Sequence, residues 1–299
     1  MHISRLSSQS EWHRFRESHA STAKIGFVPT MGALHSGHLA LVKKALGECD
    51  LVVASIFVNP TQFNNPADFE AYPLDLENDL AALESVGCHA AYCPRVEEIY
   101  PQGPKSEELD LGGLDQVLEG ALRPGHFQGV ATVVHRLFDL LQVDRAYFGL
   151  KDFQQVKVIE KLAHGRGGTP VIVPCPIVRE PSGLAMSSRN RRLTSDQKAA
   201  AAAIYAALRF AEEELQLFPV PPRALKLEMR KMIQASGLLQ VESIDFALAE
   251  SLTPITDGEA LLDRYPEGVQ AFISAYAGEV RLIDTHRIVA RGYPVPEED

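Results

Sequence analysis

The stretch from residue 24 to residue 46, KIGFVPTMGALHSGHLALVKKAL, decides the fold of this chain. Residues 25–29 are an apolar run of strand type, residues 30–37 form a turn with two glycines, and residues 38–46 carry apolar side chains at helical spacing. The order strand, turn, helix places backbone N–H groups and the positive end of a helix dipole at the carboxyl edge of a sheet. The stretch therefore predicts an anion site at the turn.

The turn contains the pattern H-x-G-H, formed by His35, Ser36, Gly37 and His38. Gly37 leaves room for a ligand to approach the backbone between the two imidazole rings. A simpler interpretation is a helix start whose histidines only cap and hydrate it. The remainder of the chain has to decide between this cap and a phosphate site.

The alternation of strands and helices continues along the chain. Strands are predicted at residues 51–58, 90–93, 145–149 and 171–178, and the first of these is a continuous apolar run typical of a buried parallel strand. Helices are predicted at residues 10–18, 74–86, 127–141 and 153–164, with a loop at residues 94–125. This order predicts an α/β fold, a Rossmann-like doubly wound parallel sheet.

The pattern changes after Val178. Residues 194–197 read TSDQ, a capping box that opens an Ala-rich helix to about residue 215. A proline-rich break at residues 218–222 precedes a predicted helix at residues 223–235 and predicted strands at residues 241–248, 269–276 and 279–283. We therefore expect a Rossmann-like domain of residues 1–179 and a smaller α+β domain of residues 180–299.

The composition narrows the classes of protein and partner. A net charge of −10, from 29 basic and 39 acidic residues, disfavours non-specific nucleic-acid binding. The first 17 residues are polar and no apolar run reaches the length of a membrane span, so we expect no membrane partner. The four cysteines form no C-x-x-C pair. Cys88, His89 and Cys93 could be imagined as a metal cluster, but we interpret the two cysteines as thiols that pack in the interior. A reducing cytoplasm fits this use of cysteine.

Open parallel sheets bind ligands beyond the carboxyl ends of their strands, so the strand-end loops are expected to face one crevice. Four polar clusters lie on such loops: Met31 and Gly32 with His35 and His38; Asn59 with Gln62; residues 149–152 with Gln155; and residues 185–190. A separate candidate is the stretch Arg123 to His126, just before the amphipathic helix.

This combination resembles the pantothenate synthetase family, which belongs to the H-x-G-H nucleotidyltransferase superfamily. The matching stretches occur in the family's order, cover most of residues 24–193, and read FVPTMGALHSGH, FVNPTQF, YPLDLENDL, RPGHFQGVATVV, AYFGLKDFQQ and GLAMSSRNRRL. The family joins pantoate to β-alanine with ATP, and the resemblance implies a homodimer. Leu150 stands where the family usually has Glu, and Ser182 where Asp is common, and we expect at most an altered affinity from these two departures.

The resemblance also implies the roles of particular residues. The catalytic set is His35, His38, Lys151 and Arg189, with His38 as the proton donor. ATP is expected to contact Met31, Gly32, Ala33, Leu34, His35, Ser36, Gly37, His38, Gly149, Leu150, Lys151, Asp152, Val178, Met186, Ser187, Ser188 and Arg189. The expected contacts of pantoate or β-alanine are Asn59, Gln62, Arg123, His126 and Gln155.

These residue types suit the reaction. A carboxylate is already a nucleophile, so its attack on the α-phosphorus of ATP needs positioning and charge stabilisation rather than a general base. Lys151 offers a point charge and Arg189 a forked donor to phosphate, while Ser187 and Ser188 on a polar loop suggest a lid that closes on ATP. Mg²⁺ is expected on the polyphosphate, and its protein ligands are left unassigned.

Two other functions stay open on the sequence alone. A nucleotidylyltransferase of the same superfamily would share the H-x-G-H turn but would not need both Gln62 and Gln155, and it would release a nucleotidyl conjugate. A catalytically silent nucleotide-binding module is disfavoured because the chain retains its whole predicted catalytic set, His35, His38, Lys151 and Arg189. A class I aminoacyl-tRNA synthetase is disfavoured by the short chain and its acidic charge.

Overall fold

The computed structural model describes residues 2–64, 69–217, 220–257 and 268–288. The chain divides into two compact units, Met1–Gly149 with Gln154–Cys175, and Leu150–Phe153 with Pro176–Asp299. The short turn Leu150–Phe153 therefore groups with the second unit, although the chain on both sides of it belongs to the first.

The first unit contains a parallel sheet. Its strands are β1 (Ser4–Leu6), β2 (Ile25–Thr30), β3 (Leu51–Ile56), β4 (Ala90–Tyr92), β5 (Arg145–Gly149) and β6 (Val171–Cys175). They are arranged in the order β1-β4-β3-β2-β5-β6 and all pair in parallel. The helices of this part of the chain are α1 (Gln9–Glu17), α2 (Ser36–Glu48), α3 (Leu76–Ser85), α4 (Val96–Ile99), α5 (Leu118–Leu122), α6 (His126–Leu141) and α7 (Phe153–Gly165).

Apolar cores lie on both faces of this sheet. Successive residues of a strand point to opposite faces, so Phe27 of β2 joins a core with Phe138 of α6, whereas Val28 joins a different core with Val42 of α2. Burial on both faces explains why β2 and β3 are almost uninterrupted apolar runs. The predicted doubly wound α/β sheet is confirmed.

β2 lies at the topological switch point of the sheet. It pairs with β3, the next strand in the chain, on one side and with β5 on the other. In open α/β sheets the ligand crevice lies outside the carboxyl ends of the strands at such a point. The turn between β2 and α2, which carries the H-x-G-H pattern, is located there.

The second unit is a small α+β structure. Strands β7 (Gln240–Leu248), β8 (Val269–Ala277) and β9 (Val280–Ile288) form an antiparallel sheet, and α8 (Ser195–Leu217) and α9 (Pro222–Gln234) share an apolar core with it. The predicted capping box is present at the start of α8. The Thr194 N–H donates to Gln197 Oε1 at 3.0 Å, and the Gln197 N–H donates to Thr194 Oγ1 at 3.2 Å.

Some predicted element boundaries were wrong. Residues 94–125 were expected to be a loop, but they contain α4 and α5, which are too short for a hydrophobic period to reveal. β6 ends at Cys175 rather than residue 178. α2 begins at Ser36 rather than residue 38, and the edge strand β1 was not predicted. Residues 218 and 219 of the predicted proline-rich break lie outside the described residues.

Across the described ranges, no helix is both long enough and apolar enough to cross a bilayer.

Candidate active site

The turn after β2 is held to the sheet by Thr30. The Thr30 hydroxyl donates to the Ser55 carbonyl oxygen of the neighbouring strand at 2.6 Å and accepts the Gly32 N–H at 3.2 Å. Gly32 has φ +82°, and a Cβ there would lie 2.8 Å from a carboxylate oxygen of Asp79. Only glycine satisfies both constraints, so the small residue in this turn has a structural reason.

The carboxylate of Asp79 holds the backbone of the same turn. Its side chain is 3% exposed, and its two oxygens accept the Ala33 N–H at 2.9 Å and the Leu34 N–H at 2.7 Å. Two backbone donors on one buried carboxylate fix the path of the turn into α2, including the left-handed φ of +50° at Ala33. Asp79 was not a predicted site residue, because on the sequence it reads as an ordinary acidic residue in the first turn of α3.

His35 and His38 are brought together at the start of α2. His35 is the N-cap, and its Nδ1 accepts the Gly37 N–H at 3.1 Å; the Nδ1 of His38 accepts the His35 N–H at 3.4 Å. The ring centroids are 4.0 Å apart. An Nδ1 that accepts a hydrogen bond carries no proton, so each neutral ring is the Nε2–H tautomer. The cap interpretation and the phosphate-donor interpretation are therefore compatible.

Gln62 contacts this turn from the loop after β3. Its Nε2 lies 3.2 Å from the sulfur of Met31, and its Oε1 accepts from Asn59 Nδ2 at 3.0 Å. Asn59 is 1% exposed, so among the described residues it belongs to the interior rather than to a surface. Gln62 is part-exposed and presents its amide nitrogen beside the turn.

Arg123 and His126 converge on the backbone of the same loop. The Gln62 carbonyl oxygen accepts from His126 Nδ1 at 2.8 Å and from Arg123 Nη2 at 3.3 Å. Because His126 Nδ1 donates, its Nε2 is the acceptor for Arg123 Nη1 at 3.3 Å. Arg123 also pairs with Glu119 at 3.3 Å. The helix N-cap is Gly125, so His126 ties α6 to the Gln62 loop rather than capping the helix by its side chain.

Two adjacent glutamines at the start of α7 have different environments. Gln154 is 4% exposed and uses its whole amide: Nε2 donates to the carbonyl oxygens of Leu114 and Val117, and Oε1 accepts the Glu119 N–H. The side chain of Gln155 is half-buried and makes no hydrogen bond within the described residues. Gln154 therefore holds structure, and Gln155 is the one of the pair suited to a ligand.

Lys151 and Asp152 lie in the turn that groups with the second unit. Their side chains form an ion pair of 3.7 Å, with Lys151 mostly buried and Asp152 exposed. The next residue, Phe153, packs edge-on against Phe272 of β8 with ring centroids 6.0 Å apart. The turn itself also contacts β9, another strand of the second unit.

Arg179 anchors the loop that carries Ser187, Ser188 and Arg189. The Arg179 guanidinium makes a bidentate pair with buried Asp284, at 2.6 and 3.0 Å, and stacks 3.7 Å from the ring centroid of Tyr205. It also donates to the Gly183 carbonyl oxygen at 3.1 Å, which closes the turn containing Ser182. A buried, bidentate ion pair between arginine and a carboxylate is rigid as well as strong.

The loop continues through residues 186–189. The Met186 N–H donates to the Val178 carbonyl oxygen at 2.9 Å, and the Arg189 N–H donates to Ser187 Oγ at 3.3 Å. Ser188 is buried and begins a short 3-10 helix, Ser188–Arg192. The predicted ATP contacts Val178, Met186, Ser187, Ser188 and Arg189 thus share one loop of the second unit.

The predicted site residues therefore fall into two groups. In the first unit, hydrogen bonds and close contacts join five predicted residues into a single cluster: Met31, Asn59, Gln62, Arg123 and His126. In the second unit, Lys151 and Arg189 occupy separate turns. The prediction that both groups face one crevice stays a prediction.

The cysteine-rich stretch contributes no metal-binding geometry among the residues the structure describes. His89 Nδ1 accepts the Val52 N–H at 3.0 Å, and Cys88 and Cys93 are free thiols. No group of three or more His, Cys, Asp or Glu side chains in the described ranges is placed to hold a metal ion.

Comparison with known proteins gives a consistent family. The family model for pantoate-beta-alanine ligase matches residues 3–287. A pantothenate synthetase of Porphyromonas gingivalis is 46% identical over 270 residues, covering 89% of this chain and 92% of that one. One of Rubrobacter xylanophilus is 46% identical over 268 residues, covering 88% and 90%.

Solved structures agree in fold. The crystal structure of pantothenate synthetase from Thermus thermophilus has a TM-score of 0.84 and 39% identity, covering 96% of this chain and 100% of that one. Pantoate-beta-alanine ligase from Francisella tularensis, complexed with beta-gamma ATP and beta-alanine, has a TM-score of 0.78 and 37% identity, covering 95% and 97%.

Proposed function

The chain belongs to the pantoate-beta-alanine ligase family, and on that premise we propose that it condenses pantoate with β-alanine by way of a pantoyl-adenylate, releasing pyrophosphate and AMP. The observation that carries the proposal is the pair His35 and His38 at the start of α2, located at the switch point of the sheet. The binding of ATP and β-alanine by the Francisella relative supports the choice of these substrates.

The first step is attack by a pantoate carboxylate oxygen on the α-phosphorus of ATP. The new bond joins that oxygen to the α-phosphorus, and the bond from the α-phosphorus to the bridging oxygen breaks as pyrophosphate leaves. Charge accumulates on the phosphate oxygens, so fixed N–H donors there lower the barrier. The Nε2–H groups of His35 and His38, together with the α2 dipole, supply such donors.

We propose that ATP contacts the residues that the family resemblance implies. The turn from Met31 to His38 receives the phosphates, with Gly32, Ala33, Leu34, Ser36 and Gly37 offering backbone close to them. Lys151 and Arg189 contribute the positive charges, next to Gly149, Leu150, Asp152, Val178, Met186, Ser187 and Ser188. We assign residues 180–299 the role of a lid that closes over the nucleotide.

Pantoate is held by neutral amides. Gln62 and Gln155 present N–H₂ groups that orient the carboxylate and hydroxyl oxygens without neutralising the nucleophile, as a cation would. Arg123 and His126 hold the Gln62 backbone through its carbonyl oxygen, so they shape the pocket from behind. Asn59, predicted as a direct contact, acts through Gln62.

Mg²⁺ enters this scheme as the ATP complex. The described part of the chain has no cluster of three or more potential ligands, and Mg²⁺ commonly takes its ligands from substrate phosphates and water with only one or two carboxylates. Bound there, the ion would neutralise part of the polyphosphate charge.

In the second step the amine nitrogen of β-alanine attacks the acyl carbon, and the C–O bond to AMP breaks. The amine is nucleophilic only when neutral, and the nitrogen loses its extra proton to solvent as the amide forms. The rate of this step should therefore rise with pH near neutrality. A homodimer in the cytoplasm is the setting we assign to the reaction, by analogy with the family.

Product analysis tests the proposal. Purified protein is incubated with ATP, Mg²⁺, pantoate and β-alanine, and the products are separated by liquid chromatography and identified by mass. Equal amounts of pantothenate and AMP support the ligase, whereas a nucleotidyl conjugate released from the enzyme points to a nucleotidylyltransferase. ATP binding with no turnover would leave only the silent nucleotide-binding module.

A further inference from the structure

The side-chain amide of Asn59 is buried, and both its nitrogen and its oxygen have hydrogen-bond partners. Its Nδ2 donates to the Gly129 carbonyl oxygen at 3.1 Å and to Gln62 Oε1 at 3.0 Å. Its Oδ1 accepts from the Thr61 hydroxyl at 3.0 Å and from the Tyr100 hydroxyl at 2.6 Å. A carbonyl oxygen can only accept, so the Gly129 contact requires Nδ2 on that side and settles which end of the amide is which.

The orientation of Asn59 sets the orientation of Gln62. Because Asn59 turns a donor toward Gln62, the Gln62 amide must offer its oxygen to Asn59 and turn its nitrogen the other way, toward Met31. The opposite arrangement would place two N–H₂ groups against each other. Gln62 is thus fixed as a donor on its ligand-facing side, which is what a carboxylate or hydroxyl oxygen requires.

Tyr100 makes the shortest of the bonds to Asn59, and its ring is clamped. It is 1% exposed, and the Arg136 guanidinium lies 4.9 Å from its ring centroid. Arg136 itself is fixed by the Ile99 carbonyl oxygen at 2.7 Å and by Glu107 at 2.8 Å. Burial raises the pKa of Tyr100, so its hydroxyl remains a proton donor throughout the range in which an enzyme would be assayed.

We infer that Tyr100 is a positioning residue for pantoate: its hydroxyl holds Asn59, and Asn59 fixes the Gln62 amide with its nitrogen toward the substrate. This inference rests on the proposed function, because it takes the Gln62 ligand to be pantoate. Tyr100 touches no reacting atom. It acts at two hydrogen bonds' distance, by holding in place the Asn59 amide whose orientation the Gly129 carbonyl oxygen fixes.

Tyr92 provides a matched control in the same unit. It is also fully buried in the core shared with Tyr100, but its hydroxyl has no hydrogen-bond partner in the described part of the chain. Removing the Tyr92 hydroxyl therefore tests the loss of a buried oxygen without the loss of the hydrogen bond to Asn59.

The experiment compares Tyr100→Phe, Tyr92→Phe and the unchanged protein. KM and kcat are measured for pantoate, ATP and β-alanine by AMP formation, and melting temperatures confirm that each variant is folded. Loss of one neutral hydrogen bond predicts that Tyr100→Phe lowers kcat/KM for pantoate roughly three- to tenfold while KM for ATP stays within about twofold. Tyr92→Phe should leave all three substrates unaffected.

A second variant tests the hydrogen bond from Asn59 to Gln62 directly. Asn59→Asp keeps the shape but cannot donate, so Gln62 would turn its nitrogen toward residue 59 and its oxygen toward pantoate. We expect a larger loss, roughly a hundredfold in kcat/KM for pantoate, again with ATP affinity retained.

The outcomes separate the two proposals. The positioning role is overturned if the unchanged protein is active and Tyr100→Phe has the same kcat/KM for pantoate. It is also overturned if Tyr100→Phe lowers kcat/KM equally for all three substrates. Either result leaves the proposed function standing. An unchanged protein that turns over ATP without any dependence on pantoate overturns the proposed function and this inference with it.

Discussion

The imidazoles of His35 and His38 cap α2 reciprocally: Nδ1 of His35 accepts from the first turn of the helix, and Nδ1 of His38 accepts the backbone N–H of His35. The cap leaves Nε2–H as the donor on each neutral ring. One pair of side chains therefore stabilises the helix start and supplies hydrogen-bond donors at the positive end of the helix dipole.

The double role of His38 can be separated by substitution. Glutamine at the third helical position can bond back to the N-cap N–H, so His38→Gln should keep the free energy of unfolding within about 0.5 kcal/mol. His38→Ala loses the bond and should cost about 0.5–1 kcal/mol. Urea unfolding followed by circular dichroism measures both. Equal stabilities of the two variants would show that the cap contributes nothing.

Asp79 should be needed for the phosphate turn. Asparagine offers one acceptor where two backbone N–H groups require two, so Asp79→Asn should lower stability by about 1–3 kcal/mol and weaken ATP binding. Asp75→Asn is the matched control, because Asp75 caps the same helix and asparagine caps as well. Calorimetric titration with ATP that gives equal affinities for the two variants would contradict this role.

Two helical glycines should respond to alanine in opposite ways. A Cβ on Gly129 of α6 would lie 2.4 Å from the Thr61 carbonyl oxygen, whereas one on Gly47 of α2 would meet no atom within 4 Å. Gly129→Ala should destabilise by about 1–3 kcal/mol, and Gly47→Ala should stabilise by about 0.5–1 kcal/mol. Thermal unfolding of both variants gives the sign, and a neutral Gly129→Ala would mean that α6 can move away from the Gln62 loop without cost.

Three of the four thiols should be slow to alkylate. Burial raises the pKa of Cys88, Cys93 and Cys175 to about 11, so roughly one thiol in a thousand is thiolate at pH 8. Their modification by iodoacetamide should speed up about tenfold per pH unit between pH 8 and 10, and denaturation should abolish the protection. Peptide mass spectrometry follows each site separately. Rapid labelling of native Cys88 at pH 8 would contradict its place in the core.

The parallel sheet and the turn at its switch point could be predicted because their causes are local. The apolar runs of β2 and β3 and the helical spacing after Gly37 lie within a few residues of one another. Tertiary relationships could not be predicted in this way. Asp79 looks like a solvated helix residue until the N–H groups of Ala33 and Leu34, more than forty positions away, are placed on it.

Tyr100 was missed for a related reason. It follows a helix of four residues in a stretch rich in proline and glycine, where hydrophobic periodicity carries no signal. Its role depends on Asn59, which comes from a different strand end. The sequence also could not distinguish Gln154 from Gln155, because adjacent glutamines differ only in what the fold places around them.

The central claim, that a carboxylate of pantoate is adenylated beside His35 and His38, is tested most directly by ATP–pyrophosphate exchange with pantoate present and β-alanine absent. We predict exchange that depends on pantoate and falls by at least about a hundredfold in the folded His38→Gln variant. Exchange that proceeds without pantoate, is absent although ATP binds, or survives unchanged in His38→Gln would contradict the account.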